Sequence, residues 1–292
     1  MLDITEVADG IYRFETPVAG MFYVPVVYLI KESEVALIEP GPSAAIPYIR
    51  QAMQVLGAKD LAYIIPTHFH LDHAGGAGML VQLFRSAKVL VHPRAARHAS
   101  NPARFIQSTK MVWGNDFEAY AGPVIPLPES QLKIPEDGEI ISINGRQLQV
   151  IYAPGHAPHH MVILDRKVKC LFCGEALGLP GHYMPGVAPP SFDLETYLDT
   201  VEKLRQLGAR MLLFSHGGVQ WEPNRVISKA AETARVCSDI ILGALRQGET
   251  QEAIQQRIAE YMSRHSSIGL DKKDLEIIVA GYTIHFESKG LA

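Results

Sequence analysis

The chain has 292 residues, of which 47% are hydrophobic and 20% charged, a composition that excludes a disordered chain and predicts one large domain or two small ones. Its formal net charge is −4 and it has no long run of lysine or arginine, which argues against a nucleic-acid-binding protein. Three cysteines are too few for a disulfide framework, the apolar runs fall far short of the roughly 18 residues that span a bilayer, and the N-terminus does not resemble a signal peptide, so we expect a cytoplasmic protein with no membrane partner.

The first third of the chain alternates between strand and helix patterns. In chain order, the predicted elements are strands at 11–14, 26–30 and 35–38, a helix at 44–56, a strand at 61–65, a helix at 75–84 and a strand at 89–91. This alternation is typical of a layered α/β domain. Residues 93–129 differ, because aromatic side chains stand there among polar ones without clean helical periodicity. We interpret them as a possible substrate lid with Trp113 as a candidate substrate contact, a small satellite core being the alternative; the other aromatic residues of the segment are Phe105, Phe117 and Tyr120.

The second half predicts more strands and then only helices. Strand patterns occupy 140–143, 148–152, 161–164 and 170–172, followed by a Gly/Pro-rich loop at 178–193, a helix at 194–207 and a strand at 211–214. After residue 223 the apolar residues recur only at helical spacing, which predicts three helices. We therefore expect an α/β domain over residues 1–222 and a C-terminal helical region over residues 223–292.

A cluster of histidines lies where the predicted strand at 61–65 gives way to a helix. Within six residues the chain carries His68, His70, Asp72 and His73. Turns favour Gly, Pro, Asn and Asp and have no use for three histidines. Imidazole nitrogens and carboxylate oxygens are zinc ligands, so the cluster predicts a metal site and has donors for two neighbouring ions.

Further candidate ligands follow three later strands. His156 lies in a turn after the strand at 148–152, Glu175 comes soon after the strand at 170–172, and His216 follows the strand at 211–214. Loops at strand ends commonly carry functional residues in layered α/β domains. His159 and His160 lie close to His156, and we expect them to contact the ligands rather than the metal.

In order and spacing, these residues resemble the metallo-β-lactamase superfamily of metal-dependent hydrolases, over roughly residues 10–220. The resemblance implies a four-layer αββα sandwich with the metals at one edge, and it is nearest to the glyoxalase II and lactonase-like branch. It also implies two divalent ions, with zinc expected and iron or manganese as alternatives. The first ion would be held by His68, His70 and His156, and the second by Asp72, His73 and His216.

The chain departs from the family pattern at two carboxylates. Glu175 stands where the family has a bridging aspartate, and Glu39 stands where relatives have aspartate before a small residue and glycine. The longer side chain puts the second metal in question. We predict a retained two-metal centre with Glu175 as a bridging ligand, because Asp72, His73 and His216 are all present.

The resemblance predicts a hydrolase that uses a metal-bound hydroxide, with Asp72 as the residue that orients it. The absence of basic clusters and the apolar lid residues favour a small carbonyl substrate, such as a thioester or a lactone. His182 and Tyr183, in the loop after Glu175, are candidate substrate contacts. The alternatives are a mononuclear iron dioxygenase, a phosphodiesterase and a ligand-binding regulator without turnover. A homo-oligomer is possible.

Overall fold

The computed structural model describes residues 2–181, 183–266 and 270–292. Its first sheet has seven strands in chain order: β1 (Ile4–Ala8), β2 (Ile11–Glu15), β3 (Val26–Lys31), β4 (Val35–Ile38), β5 (Tyr63–Ile65), β6 (Lys88–Leu90) and β7 (Leu132–Lys133). β1 to β4 pair antiparallel, and β4 to β7 pair parallel. The parallel half therefore presents the carboxyl ends of its strands at one edge of the sheet.

Helices connect the parallel strands of this sheet. They are α1 (Ile46–Leu56), α2 (Leu71–Ala74), α3 (Ala77–Leu83), α4 (Ala96–Ser100), α5 (Ala103–Trp113) and α6 (Phe117–Ala121). α1 shows why the pattern predicts helix, because Ile46, Ile49 and Met53 recur on one buried face. It ends at Gly57, whose φ of 67° is the left-handed conformation that glycine adopts readily.

The second sheet has six strands: β8 (Ile140–Ile143), β9 (Arg146–Tyr152), β10 (Met161–Asp165), β11 (Cys170–Gly174), β12 (Met211–Phe214) and β13 (Val219–Gln220). Its order is β13-β12-β11-β10-β9-β8. β11 and β12 are parallel and are joined by α7 (Leu194–Gln206). Their carboxyl ends therefore lie together, and each is followed by a candidate ligand.

The two sheets enclose an apolar core and are covered by helices on their outer sides. Tyr28 and Ile30 of the first sheet share a buried cluster with Val150, Ile163 and Phe172 of the second. A second buried apolar cluster lies between the first sheet and helices α1 and α3, and a third lies between the second sheet and α7. This is the predicted four-layer αββα sandwich.

Three helices follow the second sheet: α8 (Pro223–Arg246), α9 (Gln251–His265) and α10 (Lys272–Ser288). Their apolar faces share one buried cluster with α7, including Cys237 and Ile241 of α8 and Tyr282 of α10. The boundary at residue 222 stays a prediction, since these helices pack against the layer that α7 forms. In the described part of the chain, no helix combines the length and apolarity needed to cross a membrane.

The segment at 93–129 is more regular than its sequence suggests, because it contains α4, α5 and α6. Phe105 and Phe117 are buried in the core beneath the first sheet, which agrees with the alternative of a satellite core for these two residues, and the substrate lid stays a prediction. Trp113 and Tyr120 are only partly buried. The helical periodicity of apolar residues is weak in this segment because the helices are short. Each of them contacts the core through only one or two residues.

Candidate metal centre

The histidine cluster lies between β5 and α2. β5 ends at Ile65, and α2 begins at Leu71, so that Asp72 and His73 fall in its single turn. The turn lies close to the loop after β4: a Cβ on Gly76 would come within 3.0 Å of the Pro42 carbonyl oxygen. A glycine is therefore needed at residue 76 for α2 and α3 to approach this loop.

Four side-chain atoms from three loops converge on one point. His70 Nδ1 lies 2.9 Å from His68 Nε2 and 3.3 Å from His156 Nε2. Glu175 Oε2 lies 3.0 Å from His156 Nε2 and 3.4 Å from His68 Nε2. Ligands of a tetrahedral ion at about 2.0–2.1 Å stand roughly 3.3 Å from each other. The four atoms therefore fit the first coordination site of a zinc-like ion.

A second group lies beside the first. Asp72 Oδ2 is 3.4 Å from His73 Nε2 and 3.3 Å from His216 Nε2. Glu175 Oε2, which belongs to the first group, is also 3.6 Å from His73 Nε2. One carboxylate oxygen thus faces both groups, which is the geometry of a bridging ligand.

Proton positions at the second group suit metal binding. His216 Nδ1 lies 3.3 Å from the Val24 carbonyl oxygen, and His73 Nδ1 lies 2.5 Å from Glu39 Oε2. Both partners only accept hydrogen bonds, so each Nδ1 carries a proton and each Nε2 faces Asp72. Burial alone would lower the pKa of His73, but the carboxylates of Asp72 and Glu39 outweigh it and raise that pKa well above the ordinary histidine value, so a metal ion at Nε2 would displace a proton. In the described part of the chain neither buried Nε2 has a hydrogen-bond partner. A cation between them would satisfy both.

Burial and neighbouring charges set the ionisation of the ligands. Burial lowers the pKa of His68 and of His70 well below the ordinary histidine value, and neighbouring histidines add to this effect. Burial alone would raise the pKa of Asp72 and Glu175, yet adjacent histidines outweigh it and hold both values low. His68 and His70 therefore offer neutral imidazoles and Glu175 an ionised carboxylate, the forms that bind divalent metals.

Glu39 connects the centre to the first sheet. Glu39 is 3% exposed. Its Oε2 accepts a hydrogen bond from His73, and its Oε1 accepts one of 3.1 Å from the backbone N–H of Thr67. Its φ of 61° is unusual for a residue other than glycine. Both acceptor atoms of this side chain are thus used to orient the loop that carries the ligands.

His160 and Gly174 shape the loop around Glu175. His160 Nε2 accepts a hydrogen bond of 3.1 Å from the Glu175 backbone N–H, and its ring stacks on His68 at 4.7 Å. Gly174 has a φ of 52°, and a Cβ there would lie 2.2 Å from Thr67 Oγ1. His159 Nδ1 accepts from the Phe69 backbone N–H at 3.3 Å. These contacts hold the ligand loops together.

Two of the three candidate substrate residues lie in the described part of the chain. His182 lies outside the described residues. Tyr183, with a φ of 51°, and Trp113 make no contact with the ligand atoms among the described interactions. Sequence analysis overlooked the loop before β3, where Tyr23 lies with its ring 5.6 Å from that of His216. Tyr23 can be identified as a neighbour of the site only from the tertiary structure, because the sequence Phe-Tyr-Val before a strand matches no catalytic motif.

Two adjacent groups of histidine and carboxylate side chains lie at one edge of this αββα sandwich, an arrangement of the class of proteins with this fold that can hold metal ions. Residues 20–216 match the family model described as "Metallo-beta-lactamase superfamily". Since this covers more than half of the chain, the protein belongs to the metallo-beta-lactamase superfamily.

Similar proteins agree with this assignment. The metallo-beta-lactamase fold-containing protein ST1585 of Sulfurisphaera tokodaii is 31% identical over 166 residues, 54% of this chain and 61% of its own length. The crystal structure of the Thermus thermophilus family protein TTHA1429 superposes with a TM-score of 0.70 at 20% identity, covering 98% of this chain and 95% of that one. The superposition therefore includes the C-terminal part of the present chain.

Some of the similar proteins are named as thioesterases. The atrochrysone carboxyl ACP thioesterase of Aspergillus fumigatus is 27% identical over 159 residues, 54% of this chain and 39% of its own length. The human acyl-coenzyme A thioesterase MBLAC2 is 27% identical over 157 residues, 51% of this chain and 52% of its own length. The matches thus span less than two thirds of each of these curated relatives.

Proposed function

We propose that this protein is a metal-dependent hydrolase that cleaves a small carbonyl substrate, a thioester or a lactone. The observation that carries the proposal is the convergence of His68 Nε2, His70 Nδ1 and His156 Nε2 with Glu175 Oε2, since these buried donors stand at ligand–ligand distances. Structural histidines would pair with protein acceptors rather than face one another.

The ligand assignment follows the two groups. His68, His70 and His156 hold one divalent ion, and Asp72, His73 and His216 hold a second, with Glu175 between them. When bound, such ions lower the pKa of a water molecule towards 7 and stabilise negative charge that develops on a substrate oxygen. Zinc fits the mixed imidazole and carboxylate donors, and iron or manganese also suit them.

Asp72 has a second task in this proposal. Its side chain is 13% exposed, and His73 and His216 hold its pKa low, so it remains an ionised hydrogen-bond acceptor at neutral pH. An acceptor at this position would orient the attacking water. Glu39 keeps His73 in the tautomer that leaves Nε2 free to bind.

A thioester is the favoured substrate class for two reasons. Relatives that match this chain over about half of its length are named as thioesterases. The net charge of −4 and the absence of basic runs do not favour a nucleic-acid substrate. The partner is therefore a small molecule.

The test combines metal analysis with a substrate panel. Protein purified without chelator is analysed for zinc, iron and manganese and assayed on thioesters, lactones and phosphodiesters, before and after chelation and reloading. We expect bound metal and thioester or lactone hydrolysis that chelation abolishes and reloading restores. Oxygen uptake would indicate a dioxygenase instead, phosphodiester cleavage a phosphodiesterase, and ligand binding without turnover a regulator.

Asp72→Ala tests the proposed role of Asp72 in orienting the attacking water. We expect turnover to fall by about 10²-fold or more, the usual contribution of a proton-handling group. The matched control is Asp60→Ala, which removes an exposed carboxylate that accepts a hydrogen bond from Ser86 Oγ at 2.7 Å. Equal turnover in Asp72→Ala and wild type would remove Asp72 from the mechanism.

A further inference from the structure

An exposed apolar surface lies next to the metal centre. It consists of Phe22, Val24, Met111 and Val112, with exposed fractions of 39, 45, 77 and 45%. We call these four residues the rim patch. They come from two segments, the loop between β2 and β3 and the last turn of α5, which contact each other where Phe22 stacks on Trp113 with ring centroids 4.0 Å apart.

The rim patch is continuous with the second ligand group. The Val24 carbonyl oxygen accepts the hydrogen bond from His216 Nδ1, and the ring of Tyr23 lies 5.6 Å from that of His216. The backbone N–H of Val26 donates to the Ser215 carbonyl oxygen at 2.7 Å. The loop therefore runs from a ligand residue outward to Phe22, where α5 extends the apolar surface.

Other contacts hold the rim patch in place. The hydroxyl of Tyr23 donates to Asp274 Oδ1 at the start of α10. Lys273 Nζ lies 3.8 Å from the centroid of the Phe22 ring and donates to the Val112 carbonyl oxygen at 3.2 Å. Three separate parts of the chain thus fix this surface, so little ordering is needed before a ligand binds.

The contacts also limit what can bind there. Trp113 covers one face of the Phe22 ring and Lys273 the other, so a flat base or aromatic group cannot stack on it. What remains exposed is the ring edge together with the side chains of Val24, Met111 and Val112. This surface suits a flexible alkyl chain, which gains free energy in proportion to the apolar area that it covers.

We propose that the rim patch binds the acyl chain of the substrate, so that the protein prefers medium-chain or long-chain acyl thioesters to short ones. The proposal rests on the proposed hydrolase function, because the chain lies on the rim patch when the scissile carbonyl is at the ligand groups. It makes Met111 and Val112 specificity-determining residues.

The first test is a chain-length series. We measure kcat/KM for butyryl, octanoyl and dodecanoyl thioesters with the metal-loaded wild type, the double variant Met111→Ser/Val112→Ser and the control Val55→Ser/Leu83→Ser. The control removes two exposed apolar side chains (64 and 48%) from the ends of α1 and α3. Full burial of one methylene group raises the affinity about fourfold. Coverage of a methylene group on an open surface contributes about half of that free energy, which raises the affinity about twofold.

We expect wild-type kcat/KM to rise about twofold per methylene and by tenfold or more from butyryl to octanoyl. The double variant should lose most of this rise and retain butyryl turnover, whereas the control should behave as wild type. A flat chain-length profile in wild type, or an unchanged profile in the double variant, would overturn the proposal.

A binding experiment separates this proposal from the proposed function. Calorimetric titration with butyrate, octanoate and dodecanoate, the acids that hydrolysis would release, needs no turnover. Affinity that rises with chain length in wild type but not in Met111→Ser/Val112→Ser supports the acyl site, even if no thioester is hydrolysed. Binding that does not depend on chain length overturns the proposal. A double variant that changes only the oligomeric state in size-exclusion chromatography also overturns it, because that result would assign the rim patch to a second copy of the chain.

Discussion

At the level of single residues, the metal centre depends on which ring nitrogen of each histidine carries the proton. His73 and His216 each donate from Nδ1 to an oxygen that can only accept, and each therefore turns Nε2 towards Asp72. Glu175 faces both groups through a single oxygen. The additional methylene of glutamate, compared with the aspartate of the family pattern, is accommodated without moving the carboxylate out of reach of either group.

The first prediction concerns Glu175. Glu175→Ala removes the negative charge that offsets the repulsion between two dications, so we expect two bound ions in wild type and about one in the variant. Glu175→Asp should bind the second ion more weakly than wild type, because the backbone is set for the longer side chain. Metal titration followed by elemental analysis measures this, and identical stoichiometry and activity in wild type and Glu175→Ala would contradict the bridging role.

Glu39 is the subject of the second prediction. Both of its oxygens accept hydrogen bonds from N–H groups, whereas glutamine has one acceptor oxygen, so Glu39→Gln leaves a buried donor facing an NH₂ group. We expect the affinity for the second ion to fall by about 10- to 100-fold, as for other groups that orient metal ligands. Glu34→Gln is the control, since Glu34 accepts from the Asn144 backbone N–H at an exposed position. Equal second-ion affinity in Glu39→Gln and wild type would show that Glu39 is not needed to orient His73.

At the scale of elements, the ligands are carried by the turns that follow strands. β5, β11 and β12 end in loops that carry the His68–His73 cluster, Glu175 and His216. α10 contributes from a distance, because its first turn holds the loop of the rim patch through Asp274 and Tyr23. The C-terminal helical region therefore supports the surface beside the metal centre.

The third prediction tests how α10 begins. Asp271 caps the helix by accepting from the Asp274 backbone N–H at 2.8 Å, and Asp274 accepts in return from the Asp271 backbone N–H at 3.1 Å. Asp271→Ala should lower the free energy of unfolding by about 1 kcal/mol. The neighbouring Lys272→Ala, at a highly exposed side chain, should change it by less than about 0.5 kcal/mol. Chemical denaturation of both variants measures the difference, and equal stabilities would contradict the cap.

At the scale of the whole molecule, the metal centre joins the two sheets. His68, His70, Asp72 and His73 follow β5 of the first sheet, whereas His156, Glu175 and His216 follow strands of the second. Ions held between them would link the two halves of the sandwich. Because the unfolded chain has no such arrangement, metal binding must stabilise the folded state.

The fourth prediction follows from this linkage. At a free metal concentration about 1,000 times the dissociation constant, the stabilisation is about 4 kcal/mol. Chelation should therefore lower the melting temperature by several degrees, and zinc should restore it. The triple variant His68→Ala/His70→Ala/His156→Ala should respond much less to chelation than wild type. A melting temperature that is the same with and without chelator would indicate that no ion bridges the sheets.

The layered fold, most of the strands and helices, and the residues of the two ligand groups could be predicted from the sequence. Alternating and helical spacing are local properties, and three histidines with an aspartate in six residues indicate a metal site. Sequence analysis missed β1, β7 and β13, of which β7 and β13 have two residues each and owe their existence to the strands beside them. It also left open whether Phe105 and Phe117 lie in a core, because burial depends on what packs against a helix.

How these parts meet depends on tertiary packing. Glu175 reaches both ligand groups because the loop after β11 meets the His68–His73 segment after β5, and Glu39 orients His73 across 34 residues of sequence. The rim patch arises where Phe22 meets Trp113, two residues with no shared pattern in the chain. Such contacts depend on long-range packing, which the spacing of residues along the sequence does not encode.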